Sequence, residues 1–179
     1  MADVFPPATR EAMVGTFAAI IGNGETTKYI AWLESQVPSG DLREKLVRIW
    51  YDLFRASSLR TAESSTAAGV GGWVYSFNVP GSTPLGVAHG SDVAFTFNMI
   101  NHGAGIGGFH QATDFNKEIA NKWSRTFANF ARTGSPNGGG LPEWPRYGPG
   151  QRAVLVVDET PRIVDDPDGE VLRAAYGMR

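Results

Sequence analysis

With 179 residues, the chain has the length of one domain able to bury a real core. A formal net charge of −2, with 19% charged residues, gives no basic field, which argues against a nucleic-acid partner. The absence of cysteine excludes disulfides and thiolate chemistry, though it does not decide the compartment.

The segment Met1-Ala2-Asp3-Val4-Phe5-Pro6-Pro7 lacks a basic region followed by an apolar core, so no signal peptide is expected, and localisation stays open. No apolar run approaches the length of a membrane span. Thr9 to Ile21 reads as a helix, with Thr9 as N-cap and Met13, Phe17, Ile20 and Ile21 at helical spacing. Gly22-Asn23-Gly24 is expected to stop it. A second helix is predicted from Thr26 to Gln36, with Tyr29, Ile30 and Leu33 on one side and Val37-Pro38 ending it. Ser39-Gly40-Asp41 opens a third, with an apolar stripe of Leu42, Leu46, Ile49, Trp50, Leu53 and Phe54. Its sequel to Ala68, richer in Ser, Thr and Ala, reads either as a continuation or as a separate packed segment. Three helices before the first strand are unusual for a complete α/β domain, which normally begins its sheet early.

Trp73-Val74-Tyr75-Ser76-Phe77 is the first strand-like run. A loop rich in Gly and Pro then leads to His89, with Asp92 three places on and the apolar segment Val93, Phe95 and Phe97 beyond it. A loop histidine can offer a ring nitrogen to a substrate, because the surrounding backbone is not committed to a ladder. Its plain alternative is a hydrogen-bonded loop residue. Asn98 to His110 reads as a glycine-rich loop. Thr113 to Thr133 has the strongest helical spacing, through Phe115, Ile119, Trp123, Phe127 and Phe130, and Gly134 closes it. These five side chains are expected to face a sheet. Trp144 and Tyr147 anchor a Pro/Gly-rich stretch. Ala153-Val154-Leu155-Val156-Val157 is apolar throughout, as in a strand covered on both faces, and Arg162-Ile163-Val164 suggests a short third strand. Asp166 as N-cap, with Pro167 behind it, opens a last helix to Tyr176.

Gly103-x-Gly105-x-x-Gly108 has the letters of a dinucleotide fingerprint without its context. No helix opens at its last glycine, and no acid lies between Glu118 and Glu143 to meet a ribose, so no cofactor is expected. His89, His102 and His110 are spread across glycine-rich loops, whereas zinc ligands usually come in close pairs, so no metal is expected either. His102 and His110 read as solvent-facing loop residues. A Gly-x-Ser-x-Gly elbow is absent from the 179 residues. In α/β-hydrolases the triad runs Ser, Asp or Glu, then His, so a chain carrying only the histidine looks like a C-terminal piece.

Gly86-Val87-Ala88-His89-Gly90-Ser91-Asp92-Val93-Ala94-Phe95-Thr96-Phe97 resembles the catalytic-histidine segment of type-B carboxylesterases, the cholinesterase-like branch of the α/β-hydrolases. The strand-like run from Trp73 is similar to the family's Val-Tyr-x-Phe run before that histidine. Trp123 to Asn137 resembles its Trp-x-x-Phe-Ala-x-x-Gly-x-Pro-Asn signature with a small insertion, and Trp144-Pro145-x-Tyr147 its Trp-Pro-x-Tyr. Asp158 to Asp168 resembles the family's terminal segment. The resemblance implies the α/β fold class: the C-terminal part of an α/β-hydrolase, with helices plus a few sheet strands. Residues 1–70 would be a helical region between the triad acid and the histidine, and residues 71–179 would hold the histidine loop, long helix and terminal strands.

By the same resemblance, His89 is general base and then general acid of an ester hydrolase, supported by Gly90 and Asp92. Asp92 would hold the loop through hydrogen bonds; its plain alternative is a cap for the Val93–Phe97 turn. The serine, the oxyanion glycines and the triad acid would belong to an upstream part, in the same or another chain, with an ester as substrate. Glu25 superficially resembles the acid-bearing turn but stands too near His89 in sequence. The competing reading is a non-catalytic binding or assembly module on the same fold.

Overall fold

The computed structural model describes residues 9, 11–12, 14–15, 18, 23–36, 38, 42–81, 87, 89–100, 110–167 and 169. Within the first predicted helix, Glu11, Ala12, Val14, Gly15 and Ala18 are helical. The Ala12 amide donates to Thr9 Oγ1 at 3.2 Å, the N-cap bond expected of Thr9. Met13, Phe17, Ile20 and Ile21 lie outside the described residues.

The chain divides into two compact units, residues 1–61 with 167–179, and residues 62–166. In the first unit, helix α1 spans Asn23–Gln36 and helix α2 begins at Leu42. Asn23 and Gly24 thus stand in the first turn of α1, ahead of the start expected at Thr26, while the end of the first predicted helix lies outside the described residues. The first amides of a helix need no intrahelical acceptor, so turn-forming residues are tolerated there. Thr26, Tyr29, Ile30 and Leu33 form the buried stripe of α1. The Tyr29 hydroxyl donates to the buried Asp52 carboxylate of α2 at 2.7 Å, and Arg48 Nε donates to the same group at 2.9 and 3.0 Å. A buried carboxylate so bonded is compensated for its lost hydration.

Helix α2 runs unbroken from Leu42 to Ala67, so the Ser/Thr/Ala-rich stretch is its continuation. Of the predicted apolar stripe, only Phe54 has a described side chain, and it is 54% exposed. Among the described side chains of α2, Asp52, Ala56 and Leu59 in the first unit and Ala62 in the second are buried.

The second unit holds a three-stranded sheet in the order β1-β2-β3, with β1 Val74–Phe77, β2 Ala153–Val157 and β3 Arg162–Asp165. Strand β1 runs parallel to β2, pairing Val74 with Val154 and Phe77 with Val157. Strand β3 is antiparallel to β2. Between β1 and β2 come the short helix α3, Val93–Thr96, and the long helix α4, Asp114–Thr133. All five residues of β2 are buried, as its continuous apolar sequence requires.

Helix α4 follows its sequence closely. Thr113 caps it by accepting from the Asn116 amide, and Gly134 closes it in the left-handed region at φ 74°. Trp123 is fully buried at the middle of the core with Phe95, Ile119, Trp144, Leu155 and Val157. Its ring lies 4.8 Å from Tyr75 and 5.7 Å from Phe77, and its Nε1 donates to Thr96 Oγ1 at 3.1 Å. The expected sheet-facing row stops there. Phe127 and Phe130 are 38% and 49% exposed and line an apolar cavity of about 400 Å³ with Trp73, Tyr75, Pro136 and Trp144.

Trp144 and Tyr147 are buried anchors, as expected. Trp144 is fixed by a two-way bond with Asn137, whose Oδ1 accepts from the Trp144 amide and whose Nδ2 donates to its carbonyl. Asp166, expected as an N-cap, has φ 44° and a carboxylate 3.8 Å from Arg152; this left-handed backbone is not the extended one of an N-cap. The last helix beyond it lies outside the described residues apart from Gly169, which is helical.

Candidate functional site

The site is built where β1 hands the chain to α3. His89, Gly90, Ser91 and Asp92 form one turn directly before Val93. His89 is exposed on that turn. Gly90 has φ 79°, and a Cβ there would meet only Val93 Cγ2, at 3.8 Å. The backbone angle, and not crowding, is what favours glycine.

Asp92 occupies the N-cap position of α3 but makes no side-chain cap bond. Its Oδ2 accepts instead from the Tyr75 hydroxyl, at 2.8 Å. The carboxylate therefore ties the turn to strand β1. Burial pushes the Tyr75 phenol up from its ordinary value, and the hydrogen bond to Asp92 and the charge beside it push the same way. The backbone carbonyl of Asp92 is held as well, by the Thr96 amide at 2.9 Å and the Thr96 hydroxyl at 3.0 Å. Since Trp123 donates to that hydroxyl, helix α4 and strand β1 grip the same residue.

A third hold comes from His110. Expected at the surface, it is 5% exposed, with Nε2 3.0 Å from the Ser91 carbonyl and its ring edge-on to Phe95 at 4.8 Å. The glycine-rich loop reading overlooked it because a lone histidine carries no sequence sign of burial. Tyr75 was legible as a strand aromatic, but not as the partner of an acid 17 residues later. His102 and the Gly103–Gly108 fingerprint lie outside the described residues. Glu25 stands in the first turn of α1, not in a separate turn.

Among the described residues, no three His, Asp or Glu side chains gather as a metal site would require. No described helix is long and apolar enough to cross a membrane. The apolar cavity beside α4 shares only Tyr75 with the braced turn.

A profile described as the carboxylesterase family matches residues 19–173. Carboxylesterase 4A of Bos taurus is 34% identical over 118 residues, covering 62% of this chain and 20% of the bovine protein. Carboxylesterase 1D of Mus musculus is 30% identical over 129 residues, covering 67% of this chain and 21% of the mouse protein. Among solved structures, the Geobacillus stearothermophilus carboxylesterase EST55 at pH 6.2 aligns with a TM-score of 0.77 at 28% identity, over 94% of this chain and 35% of that one. A structure of PNB esterase aligns with a TM-score of 0.78 at 18% identity, over 96% of this chain and 34% of the other, a likeness of fold. The chain thus spans about a fifth of those two mammalian relatives and about a third of these solved esterases. Its helices and three strands are those of an α/β-hydrolase, and it belongs to the carboxylesterase family, the type-B branch of that fold.

Proposed function

We propose that this chain is the C-terminal, histidine-bearing part of a carboxylic ester hydrolase and that His89 is its catalytic base. The observation that carries the reading is the bracing of the His89 turn, above all the 2.8 Å bond from Tyr75 to Asp92. A general base has to be presented in one direction, and a short exposed turn achieves this only when its flanks are fixed. Family membership supports the reaction class, and the chain's share of its relatives' length supports an upstream part that completes the site.

In this scheme residues 1–179 form one C-terminal segment of a hydrolase domain, residues 1–70 being its helical region and 71–179 carrying the histidine turn, long helix and strands. The upstream part, in the same or a separate chain, supplies the serine, the oxyanion hole and the triad acid. His89 removes the serine proton as the hydroxyl oxygen attacks the ester carbonyl, then delivers it to the departing alcohol. The same cycle with water as nucleophile releases the acid. Gly90 lets the backbone turn behind the imidazole, and Asp92 holds the turn on β1.

The test is reconstitution. The chain alone should give negligible turnover of a short-chain nitrophenyl ester, unchanged by His89→Ala. Fused to an upstream part bearing the serine elbow and acid, the wild type should turn over, and His89→Ala should lower the rate by several orders of magnitude. Reconstituted activity that survives His89→Ala would remove His89 from the mechanism and leave a module that shares only the fold.

A further inference from the structure

We propose that His110 is a positioning residue for the His89 turn, holding the Ser91 carbonyl through its Nε2–H. This rests on the reading of His89 as the base. A carbonyl oxygen only accepts, so the 3.0 Å contact with Ser91 places the ring proton on Nε2. Nδ1 is buried with no hydrogen-bond partner among the described residues. A phenyl ring would fill the same space, keep the edge contact with Phe95 and carry no orphaned nitrogen. What imidazole adds over phenyl is the bond to Ser91.

That bond ties the middle of the turn to a distant part of the chain. The Gly90 carbonyl accepts from the Val93 amide, and the Asp92 carbonyl accepts from Thr96. The Ser91 carbonyl, between them, takes its bond from a residue 19 positions later. Gly90 beside it has the left-handed φ that glycine enters and leaves most freely. Rotation about Gly90 would swing His89 away from a fixed Asp92. His110 closes that freedom two residues from the imidazole. Its own place is set by packing on the fully buried Phe95 and by Thr113, the N-cap of α4, three residues on.

The experiment uses the fused enzyme, with a nitrophenyl ester, and three variants. His110→Phe keeps the shape and removes the donor; it should lower kcat about 100-fold with KM changed less than about threefold, the signature of a displaced base. His110→Gln returns an N–H at a similar reach and should recover kcat to within about tenfold of wild type. His89→Ala is the reference for the reading itself. Loss of activity in His89→Ala together with full activity in His110→Phe overturns the role of His110 alone. Activity that survives His89→Ala overturns both. Equal losses in the Phe and Gln variants, in step with lowered melting temperatures, reduce His110 to a packing residue and overturn the proposal. If His110→Phe does not fold, the wild type decides: ring nitrogen shifts of the 15N-labelled chain should show the Nε2–H tautomer with a slowly exchanging proton. The Nδ1–H tautomer would leave Ser91 without its donor and refute the inference.

Discussion

Asp92 is gripped at two atoms by two elements, its carboxylate by Tyr75 of β1 and its carbonyl by Thr96, which Trp123 of α4 steadies in turn. The Tyr75 bond has a pH signature. Because the folded state raises the phenol above the ordinary tyrosine value, the contribution is fully present below about pH 10 and fades as pH rises further. Tyr75→Phe should therefore cost about 1 kcal/mol at neutral pH and flatten part of the alkaline fall in melting temperature. A mutant whose alkaline fall matches the wild type's would assign that fall elsewhere, to Tyr147 for instance, whose phenol is also raised, chiefly by burial. Sequence made His89 and Asp92 visible, because an acid near a loop histidine is a local pattern. Tyr75 and His110 reach the turn only through the fold, so no spacing could reveal them.

Among the elements, α4 was the most legible, and the reason is local chemistry at both ends. Thr113 and Gly134 satisfy its terminal backbone groups, and one apolar row runs the length between. The row's meaning was less legible. Ile119 and Trp123 enter the core, whereas Phe127 and Phe130 stay half open, since periodicity marks a face and not how far its cover extends. Trp123→Ala should cost about 3–5 kcal/mol in a denaturant titration, given full burial and its ring contacts on β1. A loss under about 1 kcal/mol would contradict that burial. In α1 the misread start has a plain cause: Asn and Gly are breakers inside a helix but cost little in its first turn. In α2 the described burial includes a carboxylate, Asp52, which the hydrogen bonds from Tyr29 and Arg48 make tolerable.

At the scale of the molecule, β1 is an edge strand among the described residues, beside an apolar cavity with exposed aromatics. The Asn78 amide bonds to Val157 of β2, so by alternation the amides of Tyr75 and Phe77 point outward. Such an edge invites pairing. The isolated chain should self-associate, with a sedimentation coefficient that rises with concentration, and the upstream part should suppress this. A concentration-independent monomer with a high, cooperative melting transition would mark a self-sufficient domain. The α/β class was readable from the strand runs and the family wording, but the strand order was not. That order depends on a parallel pairing across some 80 residues, which no local signal encodes.

The strand order also sets a timetable for synthesis. Among the described residues β1 and β3 each pair only with β2, so the β1–β2 pairing waits until residues 153–157 exist. Helices α2 and α4 can wind as they leave the ribosome, because their hydrogen bonds are local. The sheet cannot. Until then Tyr75 and Phe77 wait without β2, and the Asp92 brace waits with them. A stalled chain lacking β2 would carry formed helices and no formed histidine turn, so the brace forms only after residues 153–157 have been made.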